Sequence, residues 1–177
     1  MFKIAAIYGA IAGTIIIAVM SAGIYMNSGS HGEGSGSQIF GYLVMIVTLS
    51  LIFVGIKRYR DRDLGGVIKF APAFGLGVAI AAIAGVFYVI GWEIYLAATD
   101  YAFARDYAEG IIAAKQAAGV SGEALEKVTA SMNGFVEMYK NPVIRLPMTF
   151  IEIFPVGLIV ALVSALLLRN PKLLPER

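Results

Sequence analysis

AFGLGVAIAAIAGVFYVIGWEIYLAA, residues 73–98, is an apolar stretch in which Glu93 is the only charged side chain. A transmembrane helix needs about 20 mostly apolar residues to cross a hydrocarbon core of about 30 Å. The stretch follows Pro72, a residue suited to the first turn of a helix. It therefore predicts a membrane-spanning helix with one carboxylate near its end. Tyr88, Trp92 and Tyr95 are expected to mark the membrane interface at that end.

Three further segments, residues 4–26, 39–56 and 146–168, are also long and apolar enough to span a membrane. The chain is 59% hydrophobic with a mean hydropathy of +0.79, whereas soluble domains are about 45–50% apolar. The first apolar run is longer than the 7–15 residues typical of a signal peptide, so we expect a retained span. The pattern predicts an all-α, four-transmembrane-helix bundle that forms a single integral membrane domain over residues 1–177.

Basic residues predict the orientation of this bundle. Lys57, Arg58, Arg60, Arg62 and Lys69 follow the second span, whereas the loop at 27–38 contains neither lysine nor arginine. Short loops rich in Lys and Arg stay in the cytoplasm. We therefore expect both termini to be cytoplasmic and residues 99–145 to lie on the outer side.

The segment between the third and fourth spans has a helical hydrophobic pattern. Apolar residues recur at helical spacing over residues 101–118 and again over 121–139. Gly119 is placed to end the first helix, and Ser121 to cap the second. Asn141 and Pro142 interrupt the pattern before the fourth span. We expect an extracytoplasmic amphipathic helical hairpin over about residues 101–140.

Glu93 and Glu152 are the acidic residues inside the predicted spans. Each lies five or six residues from the outer end of its span, which at 1.5 Å per residue places both roughly 8–9 Å below the surface. If they faced one another across packed helices, they could share a proton or a cation. Arg105, Lys140 or Arg145 could instead neutralise either carboxylate. An ion or proton site at Glu152 and Glu93 is therefore one of three open readings, the others being a structural salt bridge or hydrogen bond and contact with a partner.

Two other patterns concern the surface and the packing of the bundle. The run KRYRDRD, residues 57–63, suits either a topology anchor with local ion pairs or contact with anionic lipid head groups, through Lys57, Arg58, Arg60 and Arg62.

Small residues spaced four apart let helix backbones approach closely. Such stripes occur in the first span (Ala5, Gly9, Gly13) and in the third (Gly77, Ala81, Gly85), and we expect them to pack inside the bundle.

Few residues are suited to catalysis. The chain has no cysteine, and its one histidine, His31, lies in a Gly/Ser-rich loop. We expect no enzyme activity, no metal, no cofactor and no nucleic-acid binding, but contact with membrane lipid and with a protein partner or a second copy. A noncatalytic interaction or accessory membrane protein is the favoured function. The alternative is proton- or cation-coupled transport, or a channel-like role.

An ordered set of motifs resembles domain-of-unknown-function family 4199. The set comprises FVGIKRYRD (53–61), LGGVIKFAPAFGLG (64–77), AAGVSGEALEKVTASMNGFVEMYKNP (117–142) and EIFPVGLIVALVSALLL (152–168). The resemblance covers nearly the whole chain. It implies a multi-pass bacterial inner-membrane protein with an extracytoplasmic hairpin between helices three and four, and it places Glu152 in the EIFPVG motif. It implies no activity.

Overall fold

The computed structural model describes residues 1–27 and 35–175. This part of the chain forms helices α1 (Phe2–Asn27), α2 (Ser35–Leu49), α3 (Leu51–Leu64), α4 (Phe70–Ala98), α5 (Phe103–Ala117), α6 (Glu123–Lys140) and α7 (Pro142–Leu168). His31 and most of the Gly/Ser-rich loop lie outside the described residues.

Four segments are long and apolar enough to cross a membrane, which confirms the predicted all-α bundle. They are Phe2–Ile24, Ile39–Leu64, Phe70–Ala98 and Pro142–Leu168. The second span differs most from the prediction, because helix α3 continues to Leu64 rather than ending at Ile56. The KRYRDRD run is therefore the last two turns of a helix and not a loop.

Helix α4 is the centre of the bundle and packs most extensively against α1 and α7. Its small residues make these contacts possible. A Cβ placed on Gly77 would lie 2.7 Å from the Ala161 Cβ, and one on Gly157 would lie 2.7 Å from the Ala81 Cβ. Such distances leave no room for a larger side chain, so helices α4 and α7 meet almost backbone to backbone.

The small-residue stripe of α1 makes the second close interface of α4. A Cβ on Gly9 would lie 2.7 Å from the Ile83 side chain, and one on Gly13 would collide with the carbonyl oxygen of Ala84. Both stripes therefore pack inside the bundle, as predicted.

Helices α5 and α6 form the hairpin at one end of the bundle. Gly119 follows α5 with a φ of +84°, and the Val120 amide donates to the Lys115 carbonyl, which closes the helix as predicted. The predicted cap at Ser121 is wrong. Gly122 precedes α6 with a φ of +58°, so the helix begins two residues after the serine and takes no side-chain cap.

A single residue, Asn141, joins α6 to α7. Its side-chain oxygen accepts a hydrogen bond from the Val143 amide at 3.0 Å, and Pro142 occupies the first turn of α7. Because of this cap, the fourth span begins four residues earlier than predicted. The start of α7 is thereby tied directly to the end of the hairpin.

Candidate functional site

Glu93 forms an ion pair with Arg145 where α4 and α7 approach the hairpin. The Arg145 Nε and Nη2 atoms donate to the two carboxylate oxygens of Glu93, each at 2.7 Å. The arginine side chain is 6% exposed and the glutamate side chain 25%. Such a bidentate, charge-assisted pair is among the stronger polar contacts in proteins. Of the three readings of Glu93 from the sequence, the structure supports the structural salt bridge to a base.

The same guanidinium also contacts the hairpin. Its Nη1 atom donates to the carbonyl oxygen of Tyr139 at 2.9 Å and to that of Lys140 at 3.4 Å. The guanidinium carbon lies 5.0 Å from the centre of the Tyr101 ring and 5.8 Å from that of Tyr139, distances typical of cation–π contacts. Arg145 thus links α7 to α4, to the end of α6 and to the connection between α4 and α5.

A second buried hydrogen bond lies beside this pair. The Trp92 indole Nε1 donates to the Tyr139 hydroxyl at 2.7 Å, and both residues are buried. Burial raises the pKa of the Tyr139 phenol, which keeps the hydroxyl neutral. The prediction that Tyr88 and Trp92 mark the lipid interface is wrong, because both side chains are enclosed by protein.

Aromatic rings extend this contact into the hairpin. Phe103 of α5 packs edge-on against Trp92 with ring centres 4.9 Å apart, and Phe135 of α6 lies 5.3 Å from Tyr139. Contacts of this kind add about 0.5–1.5 kcal/mol per pair beyond area burial. We call Glu93, Trp92, Tyr139 and Arg145 the hairpin latch, because these four side chains attach the hairpin to the bundle.

Glu152 lies apart from the hairpin latch. Its carboxylate accepts a hydrogen bond from the Tyr88 hydroxyl at 3.5 Å, and no ion pair to Glu152 occurs within residues 1–27 and 35–175. It is seven residues beyond Arg145 on α7, or about 10 Å deeper along the helix. The prediction that Glu93 and Glu152 lie at one depth is therefore wrong, because α7 begins at Pro142 and Glu152 is further from its start than expected.

Tyr139 and Thr149 lie between the Glu93–Arg145 pair and Glu152. The Tyr139 phenol is within electrostatic range of both Arg145 and Glu152, and Thr149 is close to the same hydroxyl. Thr149 in turn donates to the Arg145 carbonyl at 3.0 Å. Polar side chains thus continue along the α4–α7 interface from the latch toward Glu152.

The basic cluster divides into exposed and buried residues. Arg58 and Arg62 are exposed, and Lys57 is half-buried and pairs with Asp61 one turn later. Arg60 is fully buried, so the head-group role suggested for it does not apply. Its guanidinium instead hydrogen-bonds the carboxylate of Asp61 and carbonyl oxygens beyond α7, at 2.9 Å for Leu173 and 2.6 Å for Leu174.

Sequence reasoning missed the burial of Arg60 and the parts played by Tyr101, Tyr139 and Thr149. For Arg60 a signal was available. Ile52, Ile56 and Arg60 are spaced four apart, so a helix extended to Leu64 would place the arginine on the buried stripe. For Tyr101 and Tyr139, contacts with distant segments decide the role, and local spacing carries no such signal.

In the described part of the chain, no three His, Cys, Asp or Glu side chains come together as a metal site. The geometry is that of a structural attachment between a membrane bundle and a helical hairpin, with one further carboxylate deeper in the span.

Comparison with known families matches residues 7–170 to the model described as protein of unknown function (DUF4199). No match was found among curated proteins or among solved structures. The match covers nearly the whole chain, including most of the first span, the other three spans and the hairpin. This multi-pass membrane protein therefore belongs to the DUF4199 family.

Proposed function

We propose that this protein is a noncatalytic interaction or accessory protein of the bacterial inner membrane, with the hairpin as its contact surface. The observation that carries the proposal is the hairpin latch. A connection between adjacent antiparallel spans needs only about 2–8 residues, yet here α5 and α6 intervene and a buried ion pair orients them. Burying charges is costly unless geometry and hydrogen bonds compensate. A need to hold the hairpin in one orientation would explain why the Glu93–Arg145 pair is kept despite this cost.

The hairpin surface favours a protein partner. Within α5 and α6 only Ala104, Ala108 and Tyr139 are buried. Two helices cannot cover each other's apolar faces completely, and the following apolar side chains stay partly exposed: Ile111, Ile112, Leu125, Val128 and Met132. Residues 99–141 also contain six acidic and four basic side chains. An acidic surface with partly exposed apolar side chains suits a basic protein surface better than an anionic membrane.

Photocrosslinking in cells tests this proposal. A photoreactive residue at Gln116 or at Ser131, both exposed on the hairpin, is expected to capture the same protein, identified by mass spectrometry. The same probe at Leu64, at the opposite end of the bundle, serves as the control. Arg145→Met should abolish capture while the protein remains in the membrane, because the hairpin loses its orientation. Recovery of lipid alone, or capture indifferent to Arg145, would contradict the proposal.

We also propose that the hairpin is extracytoplasmic and that both termini are cytoplasmic. The support is the excess of Lys and Arg at the opposite end of the bundle, where Lys3, Arg58, Arg62, Lys69 and Arg169 lie. Reporter fusions at residue 36 and near Ala118 should then report an outer location, and one at Leu64 a cytoplasmic one. A cytoplasmic hairpin would overturn this orientation.

The second candidate is proton- or cation-coupled transport, and one observation favours it. Glu152 is a carboxylate within a span whose hydrogen-bond donor is the neutral Tyr88 hydroxyl. Ionisable groups at such positions mark functional sites more often than surface carboxylates do. Glu93 is less suited to a transport role than the sequence suggested, because Arg145 donates hydrogen bonds to both of its carboxylate oxygens.

Flux measurements in proteoliposomes test the transport candidate. Glu152→Gln should abolish a proton or cation flux without unfolding the protein, whereas Glu109→Gln, on the exposed hairpin, should leave it unchanged. Absence of flux in the wild-type protein would remove the support for transport.

A further inference from the structure

A cavity of about 580 Å³ lies where the hairpin meets the ends of α4 and α7. The polar residues that line it are Asp100, Tyr101, Arg105, Tyr139, Lys140 and Arg145. Binding pockets for small molecules and cofactors are about 300–1,000 Å³. The volume is therefore sufficient for a small polar ligand or a lipid head group.

The lining of this cavity is enriched in cations relative to the hairpin around it. Acidic residues outnumber basic ones over residues 99–141. The cavity nevertheless gathers Arg105 and Lys140 from the hairpin, adds Arg145 from α7, and contains a single acid, Asp100. Converging guanidinium and ammonium groups are the side chains that recognise phosphate.

The two hairpin bases are available to a ligand. Arg105 contacts Asp106 at 3.5 Å and Lys140 contacts Glu137 at 2.6 Å, but all four side chains are more than half exposed. Exposed pairs of this kind contribute little to stability, so a phosphate could replace either acid. Arg145 donates four of its five N–H groups to Glu93 and to hairpin carbonyls, and this fixes its position at the cavity wall.

The backbone of the lining is strained. Asp100 and Tyr101 have φ values of +50° and +54°, in the left-handed region that L side chains disfavour. Aspartate tolerates this conformation better than tyrosine does. The strained conformation places the half-exposed Tyr101 ring over the Arg145 guanidinium. Strain of this kind clusters at ligand sites, because the surrounding structure must maintain it.

The cavity also lies at the ends of two candidate spans, where head groups are expected to surround a membrane protein. Helix α4 ends as a span at Ala98 and α7 begins as one at Pro142, and the cavity is lined by residues just beyond Ala98 together with Pro142 itself. From the three bases that line it, the strained connection and this position, we propose that the cavity binds a phosphate group, carried by a lipid head group or by a free phosphorylated small molecule.

Trp92 provides a native reporter for this site. It is the only tryptophan in the chain, and its indole hydrogen-bonds Tyr139, which lines the cavity. Fluorescence titrations of the full protein would use inorganic phosphate and glycerol 3-phosphate in detergent. In parallel, nanodiscs of phosphatidylcholine would be compared with nanodiscs that also contain phosphatidylglycerol. A saturable response to the free phosphates or to phosphatidylglycerol is expected, and the arm that responds identifies the source of the phosphate.

A matched pair of double variants distinguishes phosphate binding in the cavity from nonspecific electrostatic attraction to the hairpin. Arg105→Gln with Lys140→Gln removes two charges from the cavity and is expected to weaken binding at least tenfold. Lys115→Gln with Lys127→Gln removes two charges from exposed positions of the same hairpin and should change affinity less than twofold. Equal weakening by both double variants would overturn the proposal, as would the absence of a saturable response in every arm.

Discussion

Replacing Arg145 with methionine tests the hairpin latch directly. The change removes two charge-assisted hydrogen bonds to Glu93 and one each to the carbonyl oxygens of Tyr139 and Lys140. Removing one member of a fully buried ion pair costs about 3–5 kcal/mol. Because the Glu93 side chain is 25% exposed, water can solvate part of its charge, and we expect a loss of about 3 kcal/mol in the free energy of unfolding.

A double-mutant cycle separates the ion pair from the packing of the arginine. Glu93→Gln in the Arg145→Met background removes the carboxylate left without a partner, so we expect it to restore about 2 kcal/mol. Unfolding with SDS in mixed micelles can be followed by Trp92 fluorescence emission. Trp92 is itself part of the latch, so its emission reports on the loss of this contact. If the double variant is as unstable as Arg145→Met alone, with a coupling energy below about 0.5 kcal/mol, the pairing inferred here is refuted.

Three further substitutions test other contacts. Tyr139→Phe leaves the buried indole N–H of Trp92 without its acceptor, and it should lower the free energy of unfolding by about 1–3 kcal/mol in the same assay. Arg60→Met should speed proteolysis of the segment after α7 at least tenfold, because its carbonyl groups lose their donor, whereas Arg58→Met, at an exposed position, should not; equal cleavage rates would contradict this role. Gly77→Val should destabilise the bundle by about 1–3 kcal/mol through overpacking against α7, while Gly75→Val, with 4.0 Å to its nearest neighbour, should be tolerated.

The spans and the hairpin could be predicted because both follow from local patterns. A bilayer requires a run of apolar residues that satisfies its own backbone hydrogen bonds, so hydropathy alone locates the helices. The hairpin has alternating polar and apolar faces and a glycine, Gly119, where the first of its helices ends. The small-residue stripes were equally informative, since close helix packing needs Gly or Ala at four-residue spacing.

The latch could be predicted only as a set of alternatives. The sequence named Arg105, Lys140 and Arg145 as possible partners of Glu93, and the pair that forms spans 52 residues. Which base reaches the carboxylate depends on where α7 begins and on its rotation about its axis. Asn141 determines the first, and the contacts of α7 with the glycines of α4 determine the second. Neither is visible in the spacing around Glu93.

The end of the second span could not be predicted from the sequence for a different reason. Charges at 57–63 suggested that the helix ended at the membrane surface, because ionised side chains avoid lipid. Arg60 instead stays within a helix whose buried stripe already contains Ile52 and Ile56, and carbonyl oxygens from beyond α7 solvate its charge. Apart from Asp61, these compensating groups are more than 100 residues away, so no local pattern in the sequence reveals them.

That separation has a consequence for how the protein is made. Arg60 leaves the ribosome with the second span, long before Leu173 and Leu174 have been synthesised. During that interval we expect water, head groups or the neighbouring Asp61 to satisfy its guanidinium. We therefore expect closure around the arginine to be a late step of biogenesis, in which completion of the fourth span allows the final packing of the second.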